Sequence, residues 1–469
     1  MDRKSDFDLL VIGGGSAGFA AAIAACELDK RVGIVNSGPI GGTCTNFGCI
    51  PSKALIRAAE VWHQTQYHPF EGVTTKAVNL DWDRVRQQKD RLIEGLRQSR
   101  YVDVLAAHGD IAFMEGQAVF QPDGSVRVGE STYQADRHVI ATGGRPRIVP
   151  FPGVEEAAPL NSTTLMELPQ LPKSLLILGG RAVALELGQM MARFGVEVTI
   201  LQRSPRLVTE HEPEIGRAIQ DYLQDEGIHI VTDVQVERLR RDGETRVVQA
   251  HVSGQLKEYR AEQILMALGR DHNTDGLGLE NVGVALTANG AIAVNEFLQT
   301  TNPNIYAVGD VTPNPEYVYV GAASGTLAAH NAINGSQKPV DLSVVPGVIF
   351  TDPQIATVGL MEAEARQAGY DVKTSIASLD YVAHAQVAYD TRGFIKLIAD
   401  GATNRLLGAH VLADKGGEVI QTAVLAIKSG LTIDDLRSTL FPYLTQVEGL
   451  KLAALAFTKD LAKLSCCAA

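Results

Sequence analysis

The run Gly13-Gly14-Gly15-Ser16-Ala17-Gly18 limits what this chain can fold into more than any other stretch. It follows an apolar segment, Phe7 to Ile12, that reads as a strand. A small-residue segment, Phe19 to Leu28, reads as the next helix, and Arg31 to Val35 as a second strand. In that setting each glycine has its own task. Gly13 makes the turn, Gly15 lets the backbone approach a pyrophosphate, and Gly18 permits the helix to lie close on the strand. The helix N-terminus then faces an anion. The expectation is an α/β fold built on a βαβ unit that holds a dinucleotide.

A second copy of this unit begins near Ser174. Leu175 to Leu178 reads as a strand, Gly179-Gly180-Arg181-Ala182-Val183-Ala184 as the turn, and Val196 to Leu201 as the following strand. Ala184 at the third position is an accepted variant. Arg181 at the second is not, because its side chain crowds the approach to a pyrophosphate while offering the phosphates a charge. The ends of the second strands also differ from the usual acidic residue that binds a ribose hydroxyl. Asn36 stands there in the first unit and Gln202 in the second, with Arg203 and Arg206 close behind. That basic turn either receives a 2′-phosphate, which selects NADPH over NADH, or is a solvated face. Two such units imply two dinucleotides.

Further along, His138 to Gly143 reads as a strand ending in Ala141-Thr142-Gly143, and Ile305 to Asp310 as a strand ending in Gly309-Asp310. An aspartate at the carboxyl end of such a strand is placed for a ribose or ribityl hydroxyl. Beyond Lys338 the phosphate motifs stop. Val345 to Phe350, Ile355 to Gly359, Gly393 to Ile398 and Leu406 to Leu412 read as antiparallel strands, and Gly417 to Lys428 and Ile433 to Ser438 as helices.

The 469 residues allow two to four domains, and a net charge of −12 argues against a nucleic-acid or anionic-membrane surface. No apolar run is long enough to span a bilayer, and the charged start before Phe7 lacks the pattern of a secretion signal. Five cysteines in so long a chain suggest a reducing, cytoplasmic setting. Cys44 and Cys49 then form a working redox couple. Cys466 and Cys467 are adjacent near the C-terminus, where a bridge between neighbours is geometrically poor. Two thiolates suit a soft metal ion. The alternative is that they are incidental exposed thiols. Cys26, on the first small-residue helix, reads as a buried structural thiol.

The segment from Gly41 and Gly42 through Thr43, Cys44, Cys49, Pro51 and Ser52 to Lys53 resembles the redox-active signature of the pyridine nucleotide–disulfide oxidoreductases. The likeness covers nearly the whole chain. It implies an FAD-binding domain from residues 1–146 and 270–338, an NAD(P)H-binding domain from 147–269, and a dimerisation domain from 339–469 carrying the Cys-Cys tail. Within that family the C-terminal pattern, Phe441 to Leu452 followed by Cys466 and Cys467, resembles the branch that reduces mercuric ion. Relatives acting on thiol substrates carry a His-Pro pair as proton shuttle. Tyr443 and Leu444 stand at those places here, while Glu448 remains. A tyrosine is a poor shuttle near neutral pH, which suits reduction of a metal ion.

The resemblance implies an NADPH- and FAD-dependent oxidoreductase passing electrons to a Cys44–Cys49 disulfide, Cys49 facing the flavin and Cys44 exchanging with cargo. It pairs Lys53 with Glu186, gives Tyr101 and Tyr443 places where the metal is handed over, and makes Cys466 and Cys467 the carriers of Hg(II) from small thiols to Cys44 and Cys49 of the partner subunit in a homodimer. It adds Gly38, Gly42, Thr43, Ala118, Thr142, Gly143, Gly269, Asp310 and Val318 as contacts of the bound cofactors. Full-length relatives often carry an N-terminal metal domain, so this chain reads as a core form or a shortened one. Two competing readings remain. One is a reductase for a low-molecular-weight disulfide, and the other is a flavin-containing metal buffer or redox sensor.

Overall fold

The computed structural model describes residues 5–335 and 338–465. The first glycine turn lies at the carboxyl edge of a five-stranded sheet with spatial order Ile305–Ala307, Ala135–Ile140, Phe7–Ile12, Val32–Asn36, Ile111–Glu115. All neighbours run parallel. Parallel neighbours need crossovers, and the first is the helix Ser16–Cys26. This sheet is therefore completed by a strand some 165 residues beyond the fourth. Its core strands are almost wholly apolar, as sheets buried on both faces require; Leu9, Leu10 and Val11 have no exposed surface.

A second parallel sheet, of order His229–Val231, Glu197–Leu201, Ser174–Leu178, Gln263–Met266, carries the second glycine turn and the helix Ala182–Arg193. A short antiparallel pair, Gly144–Pro146 with Arg270–His272, lies where the chain leaves the first sheet and where it returns. The third unit is a five-stranded antiparallel sheet of order Gly347–Ile349, Gln354–Gly359, Leu406–Ala413, Phe394–Asp400, Val372–Ser378, covered by the helices Gly416–Lys428 and Glu448–Leu455.

One strand of this unit and three beside the second sheet carry no clear two-residue pattern in the sequence. The edge strand Val372–Ser378 escaped the sequence reading. So did the hairpin layer Gln235–Asp242, Thr245–Val252, Gln255–Ala261, whose outer strands are largely exposed and highly charged. With one face solvated, charge hides the two-residue alternation.

Apolar burial joins the units. One cluster takes in Leu55 and Ile56 from the helix Cys49–Gln64, Leu185 and Met191 from the second nucleotide helix, and Ile355 and Leu412 from the antiparallel sheet. Removing this shared surface from water fixes the helix that begins at Cys49 against both other units. Among the described residues no helix is long and apolar enough to cross a membrane.

Candidate active site

The two sequence signatures of the first hundred residues meet backbone to backbone. Gly41 N–H donates to the Gly14 carbonyl at 2.8 Å, and Gly15 and Gly41 form a parallel bridge. Gly42 has a φ of +62°, and a Cβ there would lie 2.7 Å from Gly15 Cα. The first glycine turn and the turn that starts the cysteine segment therefore abut, with no room for a side chain on Gly42.

Cys44 lies in the short helix Gly42–Asn46 and Cys49 is the first residue of the helix Cys49–Gln64. Asn46 holds the intervening turn, donating through Nδ2 to the carbonyls of Ile40 and Gly42 and accepting from Arg97. Both cysteines are thiols, Cys44 half-buried and Cys49 exposed. The hydrogen bond Cys44 donates, with burial next, pushes its own thiol well up. That same bond, followed by the charge of Lys53 and the amide end of the helix, draws Cys49 down to about 7 against the cost of burial. Of the two, Cys49 is the thiol held toward the thiolate.

Lys53, one turn along the same helix, places Nζ 2.6 Å from Glu186 Oε2 of the second nucleotide helix. Glu186 is buried, and its other oxygen accepts the Phe350 N–H at 2.9 Å. The Phe350 ring faces the same ammonium, 4.8 Å from its centroid. One carboxylate thus ties together the cysteine helix, the second unit and the start of the antiparallel sheet. A buried carboxylate needs such partners. Phe350 carried no signal in the sequence; it stands 164 positions from Glu186.

The first turn opens on a cavity of about 340 Å³ lined by Gly13, Asn36, Gln117, Ala118, Thr142, Arg145 and Asn273, among others. Asn36 Oδ1 accepts the Gly14 N–H at 2.9 Å and its Nδ2 donates to Gly38. Arg145 bridges Asn273 and Asp275 on the wall; sequence pattern offered no reason to name any of the three. Asp310 sits at the end of its strand, 3.4 Å from Arg270, and its carbonyl meets His272. Val318 opens the helix Val318–Asn334, Thr43 accepts the amides of Phe47 and Gly48 through its carbonyl, Gly143 takes a φ of +71° and its carbonyl accepts from Asn273, and Gly269 a φ of +105° with its carbonyl accepting from Arg147. A narrow glycine turn at a helix N-terminus, beside a polar cavity of this size, fits the adenosine diphosphate half of FAD.

Tyr101 lies in a π-helical turn, Gln98–Val102, after the helix Trp82–Arg97. Its hydroxyl lies 3.2 Å from Ser16 Oγ and 3.3 Å from Thr45 Oγ1, and its ring stands edge-on to Phe19. It therefore braces the two turns next to Cys44. Tyr443 belongs to the antiparallel-sheet unit and is about half exposed. Five residues on, Glu448 Oε2 is buried without a hydrogen-bond partner among the described residues, and burial raises its carboxyl. Cys26 packs partly buried beside the first sheet rather than fully inside. Cys466 and Cys467 lie outside the described residues.

In the second unit, Gln202 is buried and both its polar atoms bind backbone, Oε1 the Arg203 N–H and Nε2 the Arg206 carbonyl. The two arginines after it part company. Arg203 is exposed. Arg206 is half-buried and donates to the carbonyls of Val208, Thr209 and His211. Arg181 is exposed and pairs with Glu210.

The chain matches the pyridine nucleotide-disulphide oxidoreductase family over residues 7–325 and that family's dimerisation domain over residues 345–454. It is 45% identical to a mercuric reductase of Streptomyces lividans across 474 aligned residues, all of both chains. It is 44% identical to one from Lysinibacillus sphaericus, over 99% of this chain and 85% of the relative. Among solved structures, the HOCl-induced flavoprotein disulfide reductase of Escherichia coli superimposes with a TM-score of 0.86 at 30% identity, covering 96% of this chain and 99% of that one. A Cu(II) complex of the same protein has a TM-score of 0.85.

Proposed function

Because the chain belongs to the pyridine nucleotide-disulphide oxidoreductases, and its full-length relatives are mercuric reductases, we propose that it is an FAD- and NADPH-dependent enzyme that reduces Hg(II). The balance is NADPH plus Hg(II) giving NADP⁺, a proton and Hg(0). The observation that carries this reading is the thiol pair at Cys44 and Cys49, with Cys49 held as thiolate at a helix start beside Lys53. A bound flavin supplies the two-electron carrier between nicotinamide and the thiol pair. The first turn would hold it through Gly13, Gly15, Gly18, Asn36, Gly42, Thr43 and Asp310, with Ala118 and Thr142 at the cavity.

The chain's own residues prepare the metal site. Cys44, the exchanging thiol, attacks a mercuric thiol complex, displaces one thiolate and gives up its proton to it. The Cys49 thiolate then displaces the second, so that the ion passes between sulfurs without losing coordination. Lys53, anchored by Glu186, keeps positive charge near the developing thiolates. Tyr443 in place of a histidine suits this chemistry, since no thiol product needs a proton from the protein. We assign Cys466 and Cys467 as the carrier that delivers Hg(II) from small thiols to the partner subunit of a homodimer, in the cytoplasm, and residues 1–146 with 270–338, 147–269 and 339–469 as the FAD, NADPH and dimerisation domains.

Anaerobic NADPH titration followed by Hg(II) in excess thiol tests the proposal. NADPH oxidation that depends on Hg(II), and that is lost when Cys49 becomes serine, supports it. Turnover with glutathione disulfide or lipoamide at the same rate would move the protein to the disulfide reductases. Since the Escherichia coli neighbour has been solved with Cu(II), Cu(II) is the ion to run beside Hg(II). Replacing both Cys466 and Cys467 by alanine should abolish turnover of the thiol-complexed ion while leaving reduction of Cys44 and Cys49 by NADPH intact.

A further inference from the structure

Arg181 occupies the place in the second turn that Gly15 has in the first. Its backbone, at φ −111° and ψ −171°, is close to that of Gly15 at −89° and −176°. That is extended backbone open to any residue, so the arginine is not imposed against the turn. It places a guanidinium at the start of the helix Ala182–Arg193, with its side chain 69% exposed and Nε 3.2 Å from Glu210 Oε2.

Glu210 is delivered there by a loop that is tightly built. Arg206 donates to the carbonyls of Val208, Thr209 and His211 at 3.3, 2.9 and 3.0 Å. The Val208 N–H donates at 2.9 Å to the carbonyl of Gly180, inside the glycine turn itself. Val208 is fully buried and holds a φ of +40°, a strained backbone for a β-branched residue. Such strain persists only where the surroundings over-determine it. Four bonds and a strained residue thus hold a carboxylate where the first unit has no charge at all, against the helix end that favours an anion.

Resting on the reading of this turn as the NADPH site, we propose that Glu210 is a built-in competitor for nucleotide phosphate: it holds Arg181 in the free protein and yields it to the pyrophosphate when the nucleotide binds. The step is an exchange of ionic partners, with no covalent change. An exposed ion pair is weak enough to exchange. A phosphate offers the guanidinium two oxygens, where a single Nε contact joins it to Glu210. Affinity for the pyridine nucleotide is then the difference between two anions competing for one side chain.

The test is NADP⁺ binding to the FAD-loaded, oxidised protein by calorimetry at one low ionic strength, for the wild type, Glu210→Gln, Arg181→Ala and the double variant. Glu210→Gln should tighten Kd about fivefold and Arg181→Ala weaken it about fivefold. With Arg181 already alanine, Glu210→Gln should change Kd by less than about twofold, because the exchange has lost its object. Hydrogen exchange locates the ligand independently, through protection of residues 179–185 by NADP⁺. Protection there with no tightening in Glu210→Gln, or with equal tightening in both backgrounds, overturns the exchange and leaves the nucleotide site standing. Absence of protection at saturating NADP⁺ removes the nucleotide site and the exchange together.

Discussion

At the first glycine turn Gly13 has a φ of +120°, and a Cβ there would fall 2.2 Å from the carbonyl oxygen of Ala141; at the second, Gly179 has the same φ and a Cβ would fall 2.4 Å from that of Ala267. The opening of the two turns is one device used twice. They diverge two residues on. Gly15 is backed by Gly42, where a Cβ would lie 2.7 Å from Gly15 Cα, whereas Arg181 faces solvent and Glu210. They diverge again at the third position. A Cβ at Gly18 would lie 1.9 Å from the Gly13 carbonyl oxygen, while Ala184 carries its methyl fully packed. The first turn is closed by the cysteine segment behind it and the second is left open. A glycine fingerprint thus specifies a turn, and what surrounds the turn decides how many of its glycines are obligatory.

Exchanging the third-position residues should produce the largest contrast. Gly18→Ala should cost about 3 kcal/mol or more and leave the protein unable to retain flavin. Ala184→Gly, in the same place of the second unit, should cost about 1 kcal/mol. Denaturant midpoints and flavin content measure both; equal effects would erase the distinction between a closed and an open turn.

Lys53 is where the closed first unit leans on the second. Lys53→Ala leaves Glu186 buried with only the Phe350 amide, and should lower stability by about 2 kcal/mol, with a slower reduction of the cysteine pair. If the second unit is indifferent to the cysteine helix, stability will not change and the two units act separately.

The abutment of the first turn on the cysteine turn has a pH signature. Cys49 is held down to about 7, first by the hydrogen bond from Cys44. In the reduced protein its thiolate is therefore present above that pH and lost as pH falls through it. Cys44→Ala should move the midpoint up toward about 8.5, the ordinary thiol value, read from the ultraviolet absorbance of the thiolate. No movement would mean that the helix and Lys53 alone set the thiolate.

The smallest effect separates two arginines of the open turn. Arg203→Ala should reduce preference for NADPH over NADH by about tenfold without loss of stability. Arg206→Ala should lower the melting temperature instead, because its donors hold the loop. Reversal of these two outcomes would assign the 2′-phosphate to Arg206.

Both turns, the parallel sheets they edge and the cysteine pair were legible from local chemistry: spacing of glycines, apolar strands on either side, thiols separated by four residues. Those features depend on residues within a few positions of one another. The partially solvated strands Val372–Ser378 and Gln235–Asp242 were not legible, because charge on the open face masks their alternation. Nor could spacing reveal that Tyr101 braces Ser16 and Thr45, or that Arg206 is consumed by its own loop.

The amino-acid sequence alone determined that two glycine turns, each between a strand and a helix, and a closely spaced cysteine pair exist in this protein, because each is a short-range pattern. The tertiary structure alone decided that Gly42 must stay bare against Gly15 while Arg181 is tolerated, that Cys49 is held toward the thiolate more than Cys44, and that Glu186 answers to both Lys53 and Phe350. Contact distance and burial, which set those outcomes, arise only when segments a hundred or more residues apart are pressed together by the apolar surface they share.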